Sequence, residues 1–253
     1  MRLENKVAII TGSARGMGRV FALRFAKEGA RLTVCDVLDC TPVAEEIKAL
    51  GGEVLALKTD VASEKDTAEM AKKTFERFGR IDILVNNAAI IGGIEVKDFV
   101  KPVEQLTAAD WDKMLAVNVK GLFLCCKAVI PYMKKQGKGK IVNLASTTAF
   151  IGVPLFLHYS TSKGGVVTMT RGLARALGDF NINVNAVAPG LVMTEAMQAA
   201  LPEKEFKRVV ESQLIKRSLK PEDIAAAVVF LASEEADMIT GETLAINAGE
   251  YVR

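Results

Sequence analysis

Short, apolar, β-branched runs recur along this chain, each followed by a longer amphipathic stretch, and that alternation leaves few folds open to it. The runs lie at 6–11 (KVAIIT), 31–36, 53–60, 82–88, 140–146, 182–189 and 243–249. Helical patterns fill 16–28, 42–50, 64–78, 107–135, 156–178 and 221–233, with a shorter one at 203–213. Strands that are apolar along nearly their whole length need cover on both faces, the situation of a parallel sheet. Right-handed crossovers then predict a doubly wound α/β fold with a mostly parallel seven-stranded sheet and helices on both faces. No repeat or Pro/Gly-rich linker interrupts the rhythm, so residues 1–253 read as one domain. Two connections are long for their place, 89–106 and 191–220. Both follow strands, at the sheet edge where such folds bind ligands, and they are expected to be substrate-loop insertions.

The first run leads into TGSARGMG, with Gly12, Gly16 and Gly18, and then into a helical pattern. Glycines there permit a tight turn and a close backbone approach to a pyrophosphate, while the helix start supplies free N–H groups. The spacing is G-x-x-x-G-x-G rather than the commoner G-x-G-x-x-G. Ser13, Arg15 and Met17 share this turn. The second run ends in Asp36, followed by Val37. A carboxylate there accepts hydrogen bonds from ribose hydroxyls and repels a 2′-phosphate, which predicts NAD over NADP as the cofactor. Arg15 pulls the other way, being able to pair with that phosphate, but Asp36 stands directly at the ribose.

Tyr159 and Lys163 are four residues apart in a helical pattern, hence one turn apart on one face. A tyrosine of ordinary pKa, about 10, is a poor base at neutral pH. A neighbouring ammonium favours the phenolate, and the pair then makes a general acid/base. Ser146 closes the fifth run just before this helix, at the carboxyl edge of the sheet. Asn118 lies inside an apolar helical stretch, either as a helix-packing amide or as the holder of a water beside Lys163. His158, the chain's one histidine, stands next to Tyr159 and reads as a pocket or packing residue.

Charge narrows the partners. The formal net charge of +3 is scattered, and the basic runs carry no interleaved aromatics, so no nucleic-acid surface is expected. The N-terminus lacks the pattern of a signal peptide, and no uninterrupted apolar run reaches membrane-spanning length. Cys35, Cys40, Cys125 and Cys126 lack metal-ligand spacing, and with one histidine no metal site is expected. The picture is a reduced, cytoplasmic protein.

TGSARGMG, Asp36, the DV pair Asp60–Val61, NNAA at 86–89, Asn118 in NVKG, Ser146, YSTSK at 159–163 and PGLVMT at 189–194 occur in an order and spacing that resemble the classical short-chain dehydrogenase/reductase family over essentially the whole chain. The resemblance implies a Rossmann-fold enzyme. Tyr159 would exchange a proton with a carbonyl or alcohol, and Lys163 would tune it and grip the nicotinamide ribose. Ser146 would bind the substrate oxygen, and Asn118 would hold a water in the proton relay. Asp60 and Val61 would contact the adenine end, Asn87 with Ala88 the middle of the cofactor, and Pro189, Gly190, Val192 and Thr194 the nicotinamide side. It also implies a homotetramer or dimer. Ala89 departs from the pattern, which usually has glycine there.

Specificity is left to the segment after Ser146, the loop 91–103 and the lid-like 191–215. Thr148, Phe150, Val153, Phe156, Leu191, Met193 and Met197 are the candidate pocket residues. They suit an apolar, aryl or alicyclic secondary alcohol or ketone. The runner-up is reduction of a 3-oxoacyl thioester, which would normally use NADPH. A non-catalytic nucleotide-binding scaffold or redox sensor would have no reason to fill all four catalytic positions.

Overall fold

The computed structural model describes residues 1–90 and 100–252. In chain order it runs β1 (Val7–Thr11), α1 (Gly16–Lys27), β2 (Arg31–Asp36), α2 (Thr41–Ala49), β3 (Val54–Lys58), α3 (Glu64–Phe78) and β4 (Ile83–Asn86). Then follow α4 (Ala108–Leu115), α5 (Leu122–Gln136), β5 (Gly139–Leu144), the one-turn α6 (Thr148–Ile151), α7 (Leu157–Leu177) and β6 (Ile182–Pro189). The chain closes with α8 (Glu195–Ala200), α9 (Glu203–Ser212), α10 (Pro221–Ala232) and β7 (Thr243–Ile246). The strands form one sheet in the order β3-β2-β1-β4-β5-β6-β7, and every pairing is parallel. The expected doubly wound fold is present, with the sheet wholly rather than mostly parallel. The strand order reverses between β1 and β4, the switch point where a ligand crevice opens.

Side-chain alternation along each strand divides the core into two layers. Ala8 and Ile10 of β1 face a layer with Phe21 and Phe25 of α1 and Val228 and Val229 of α10. Ile9 faces the opposite layer, with Met70 of α3, Val129 and Met133 of α5, and Val166 of α7. Helix starts follow their sequence signals: Ser63 caps α3 by accepting from Asp66 N at 3.2 Å, and Thr107 forms a reciprocal capping box with Asp110.

The structure departs from the sequence reading in three places. The strand expected at 53–60 ends at Lys58, and those expected to reach 88, 146 and 249 end at Asn86, Leu144 and Ile246. In each case the residues beyond are a loop at the carboxyl edge, where the site lies. The single helix expected over 107–135 is instead two α-helices joined by a π-helical segment, Ala116–Gly121. By length and composition Ala108–Gln136 is apolar enough to cross a membrane, although charged residues such as Lys120 and Lys127 interrupt it and no uninterrupted run reaches spanning length. Leu122, Leu124, Cys125, Cys126, Val129 and Met133 of this stretch are buried in the protein. The insertion at 191–220 contains α8 and α9. Half of the other insertion, 89–106, and most of the substrate loop assigned to 91–103 lie outside the described residues.

Candidate functional site

At the turn after β1 the chain has no spare room beside Gly12 and Gly18. Gly12 and Gly16 have φ of +65° and +56°, a left-handed conformation that favours glycine. A Cβ on Gly12 would lie 2.7 Å from Ala88 Cα, and one on Gly18 would lie 2.1 Å from the Gly12 carbonyl oxygen. Asn87 staples this packing, its Nδ2 donating to the carbonyls of Thr11 (3.0 Å) and Gly12 (2.9 Å). Thr11 Oγ1 in turn accepts from the N–H groups of Asn87 and Ala88, both at 3.1 Å. Ser13 is buried and donates to the Cys35 carbonyl, and Met17 packs on the α1–α10 layer. So the tightest contacts here lock the turn itself, and two of the residues assigned to the cofactor do structural work.

Helix α1 begins at Gly16, with Arg15 in extended conformation at its N-cap. The Arg15 side chain does not cap the helix's own N–H groups, and the first turn contains no acidic residue. Its N–H groups and dipole are therefore presented to an anion. Asp36, at the end of β2, accepts from Ala14 N and Leu38 N, both at 3.1 Å. These bonds fix the carboxylate beside the turn and leave it lone pairs for further donors. Val37 is exposed, Asp60 Oδ1 accepts from Ala62 N in a local turn, and Val61 is buried against Gly121. A glycine-lined turn, an uncapped helix start and a carboxylate at the neighbouring strand end fit the pyrophosphate and ribose of a dinucleotide.

Ser146, Tyr159, Lys163 and Asn118 are all buried, between 2% and 7% exposed, at the carboxyl end of β5 and on the facing helices. Burial pushes the Tyr159 phenol up to about 12, against the lowering effect of its hydrogen bond with Ser146. Burial also brings the Lys163 ammonium down to about 8. Lys163 Nζ donates to the Leu144 carbonyl at 2.6 Å and lies 5.6 Å from the centre of the Tyr159 ring. Burial is the largest influence on the tyrosine, stronger than any neighbouring group. In the structure as it stands, desolvation dominates both groups, and the phenol is firmly protonated at neutral pH.

The π-helical segment carries Asn118, a feature common at functional sites. Its Oδ1 accepts from Ile90 N at 2.8 Å, and its Nδ2 donates to Ser162 Oγ at 3.1 Å. Ser162 in turn donates to the Tyr159 carbonyl at 2.7 Å. Both ends of the buried amide thus have protein partners, tying the loop after β4 to the helix turn that holds Tyr159. Ser162 was legible only as a filler of YSTSK. His158 is fully buried, and desolvation lowers its pKa against the opposing charge of Asp110.

The assigned pocket residues divide. The Thr148 N–H and hydroxyl both donate to Ser146 Oγ, at 3.2 and 3.1 Å, and Phe156 meets the Tyr159 ring edge-on with centroids 6.3 Å apart. Phe150 stacks flat on Tyr251, with centroids 5.8 Å apart and planes 5° apart. Leu191, Met193, Met197 and Val153 are half-buried. Among the nicotinamide-side residues, Val192 is buried and bridged to Leu219, and Thr194 caps α8 by accepting from Met197 N. The Pro189 carbonyl accepts from Thr147, and Gly190 N donates to the Ile246 carbonyl. Residues 247–249, expected to continue the last strand, instead form a turn with Glu250 and Tyr251 whose Tyr251 ring stacks on Phe150.

Residues 12–250 match the family described as enoyl-(acyl carrier protein) reductase. A (2S)-[(R)-hydroxy(phenyl)methyl]succinyl-CoA dehydrogenase subunit of Thauera aromatica is 41% identical over 98% of each chain. A 3-oxoacyl-[acyl-carrier-protein] reductase of Thermotoga maritima is 38% identical, covering 98% of this chain and 99% of its own. The crystal structure of levodione reductase superposes with a TM-score of 0.89 at 34% identity, over 98% of both chains.

Proposed function

Because the chain belongs to the classical short-chain dehydrogenase/reductase family and is an oxidoreductase that takes a nicotinamide cofactor, we propose that it interconverts an aryl or alicyclic secondary alcohol and its ketone with NAD. The observation that carries this reading is the meeting of Ser146, Tyr159 and Lys163 in one buried cluster beside the glycine turn. The cofactor supplies the hydride chemistry, and the protein supplies position and proton. Gly12, Gly16 and Gly18 with the start of α1 would hold the pyrophosphate, and Asp36 the adenosine ribose. Tyr159, protonated at neutral pH, donates to the carbonyl oxygen in the reducing direction, while Ser146 orients that oxygen. Oxidation of an alcohol needs the phenol to give up its proton first, and burial alone opposes that. Lys163 is placed one helical turn away to favour the phenolate once it leaves the Leu144 carbonyl. A homotetramer or dimer remains part of the proposal.

The relatives favour a second reading, action on an acyl thioester. The name of the Thauera enzyme joins the two, since it describes a phenyl-bearing secondary alcohol carried on a CoA ester. One assay separates them. The purified protein is offered NAD and NADP with 1-phenylethanol, cyclohexanol and a 3-hydroxyacyl thioester, and reduced cofactor is followed by absorbance. NAD-linked oxidation of the free alcohols, falling about 10³-fold in Tyr159→Phe with cofactor binding intact, is expected. Asp36→Ala should erode the preference for NAD over NADP about tenfold or more. Turnover of the thioester alone, with NADP, would overturn the substrate and cofactor readings together.

A further inference from the structure

Residues 247–251 form a turn that touches two of the segments to which specificity was assigned, the one after Ser146 and the lid-like insertion. Asn247, 6% exposed, closes it from both ends: its Nδ2 donates to the Tyr251 carbonyl at 2.8 Å and its Oδ1 accepts from Gly249 N at 3.0 Å. Ala248 and Gly249 take φ of +53° and +79°. Left-handed backbone at a non-glycine residue persists where the surroundings fix it. Here the Ala248 carbonyl accepts from both Leu214 N and Ile215 N, each at 2.9 Å, just beyond α9 in the lid-like insertion. A Cβ on Gly249 would lie 2.7 Å from the Leu214 side chain. On the nicotinamide side, a Cβ on Gly190 would meet Asn247 Cβ at 3.2 Å and the Glu250 carboxylate at 3.3 Å. On the catalytic side, the Tyr251 ring lies flat on Phe150, four residues after Ser146.

We propose that the turn 247–251 is a further wall of the substrate pocket and that Tyr251 is a specificity-determining residue, its ring, stacked on that of Phe150, making an apolar panel for the aryl or alicyclic part of the substrate. Both rings are half-buried. An aromatic pair held parallel presents a surface that favours another flat ring over a methyl group. The tie from Ala248 to Leu214 and Ile215 places this panel in register with the lid. The choice of substrate part rests on the function proposed above.

The test compares the full-length wild type with Tyr251→Phe, Tyr251→Ala and Tyr251→Leu on 1-phenylethanol and on 2-propanol, which share the reacting group and differ in the ring. Tyr251→Phe should behave as wild type. Tyr251→Ala should lose about tenfold in kcat/KM on 1-phenylethanol, mostly through KM, and stay within about twofold on 2-propanol. Equal losses on both substrates would overturn the proposal. Melting temperature and binding of reduced cofactor by fluorescence report folding. If the alanine variant fails to fold, the leucine variant, which keeps bulk without a flat face, should show the same selective loss. A wild type that turns over only thioesters would refute the free-alcohol reading and not this one. The comparison then moves to 3-hydroxyacyl thioesters bearing phenyl or methyl at the carbinol carbon, where a loss confined to the phenyl compound upholds the panel and an equal loss removes it. Wild-type turnover of neither class overturns both.

Discussion

The turn after β1 and the insertion after β6 sit at the same edge of the same sheet, yet they are built in opposite ways. In the first, Gly12 and Gly18 fit only because they lack a β-carbon, and Asn87 locks their carbonyls. In the second, α8 and α9 are short, and Leu214 and Ile215 just beyond them are 72% and 62% exposed. The insertion is held through a few backbone bonds: Met193 N to the Leu219 carbonyl, and Leu214 and Ile215 N to the Ala248 carbonyl. A surface that must fit one invariant group tolerates no free volume. A surface whose ligand differs from relative to relative is fastened at a few points and leaves its side chains variable.

Alanine scanning of glycines measures that contrast directly. Gly18→Ala places a β-carbon 2.1 Å from a carbonyl and 2.6 Å from Asn87 Nδ2, neither of which can move without unlocking the turn. Cofactor affinity should fall by about 100-fold or more, and stability by roughly 1–3 kcal/mol. Gly190→Ala, across the crevice, brings a β-carbon to 3.2 Å of Asn247 Cβ and 3.3 Å of the Glu250 carboxylate, contacts relieved by a shift of a few tenths of an ångström rather than by unlocking the turn. Its loss should be only a few-fold. Calorimetric titration of reduced cofactor measures both, and comparable losses would erase the distinction between a packed region and a fastened one.

The same contrast decides what could be read from the sequence. The sheet, the glycine turn, Asp36 and the catalytic cluster were legible because strand composition, left-handed glycines and a four-residue helix spacing each have one structural meaning. Four features were not. The π-helical segment leaves the apolar periodicity nearly intact, so 107–135 reads as one helix. Ser162 joins Asn118 to the Tyr159 carbonyl, a contact across 44 positions that no local pattern encodes. The pKa values of Tyr159 and Lys163 are moved chiefly by burial, which depends on the whole fold and not on their spacing. Tyr251 stacks on a residue about a hundred positions away, and its neighbourhood resembles the end of a strand. What was missed is long-range side-chain contact, which is also what the substrate side of the site is made of.

Between the two regions lies Lys163, and its pH behaviour tests whether burial rules there. A lysine held at about 8, against an ordinary 10.5, binds fewer protons when folded than when unfolded between those values. Unfolding then takes up protons, so stability rises as pH climbs from about 8 to 10.5, and below 8 the full penalty of burying the charge is present. That penalty is roughly 3 kcal/mol. Lys163→Met should therefore raise the melting temperature of the cofactor-free protein at pH 7. The gain should shrink and reverse by pH 10.5, where loss of the bond to the Leu144 carbonyl is all that remains. A gain of constant size from pH 7 to 10.5 in paired melting curves would mean that packing, and not the buried charge, governs this position.

The smallest effect is expected where the packed region ends. Ala89 stands where the family usually has glycine, the residue that at Gly12 marks a crowded, left-handed position. Among the described non-glycine residues, positive φ occurs at Asn5, Asn181 and Ala248, so Ala89 carries its side chain on an ordinary backbone. It is half-buried and two residues beyond Asn87, the last residue whose side chain locks the turn. Glycine there would gain no relief from strain and would add freedom to the unfolded chain. Ala89→Gly should lower stability by about 0.5–1 kcal/mol and change the KM for the cofactor less than twofold. If instead cofactor affinity improves severalfold, the alanine narrows the cofactor's space, and the tightly packed region extends past Asn87 toward the substrate side.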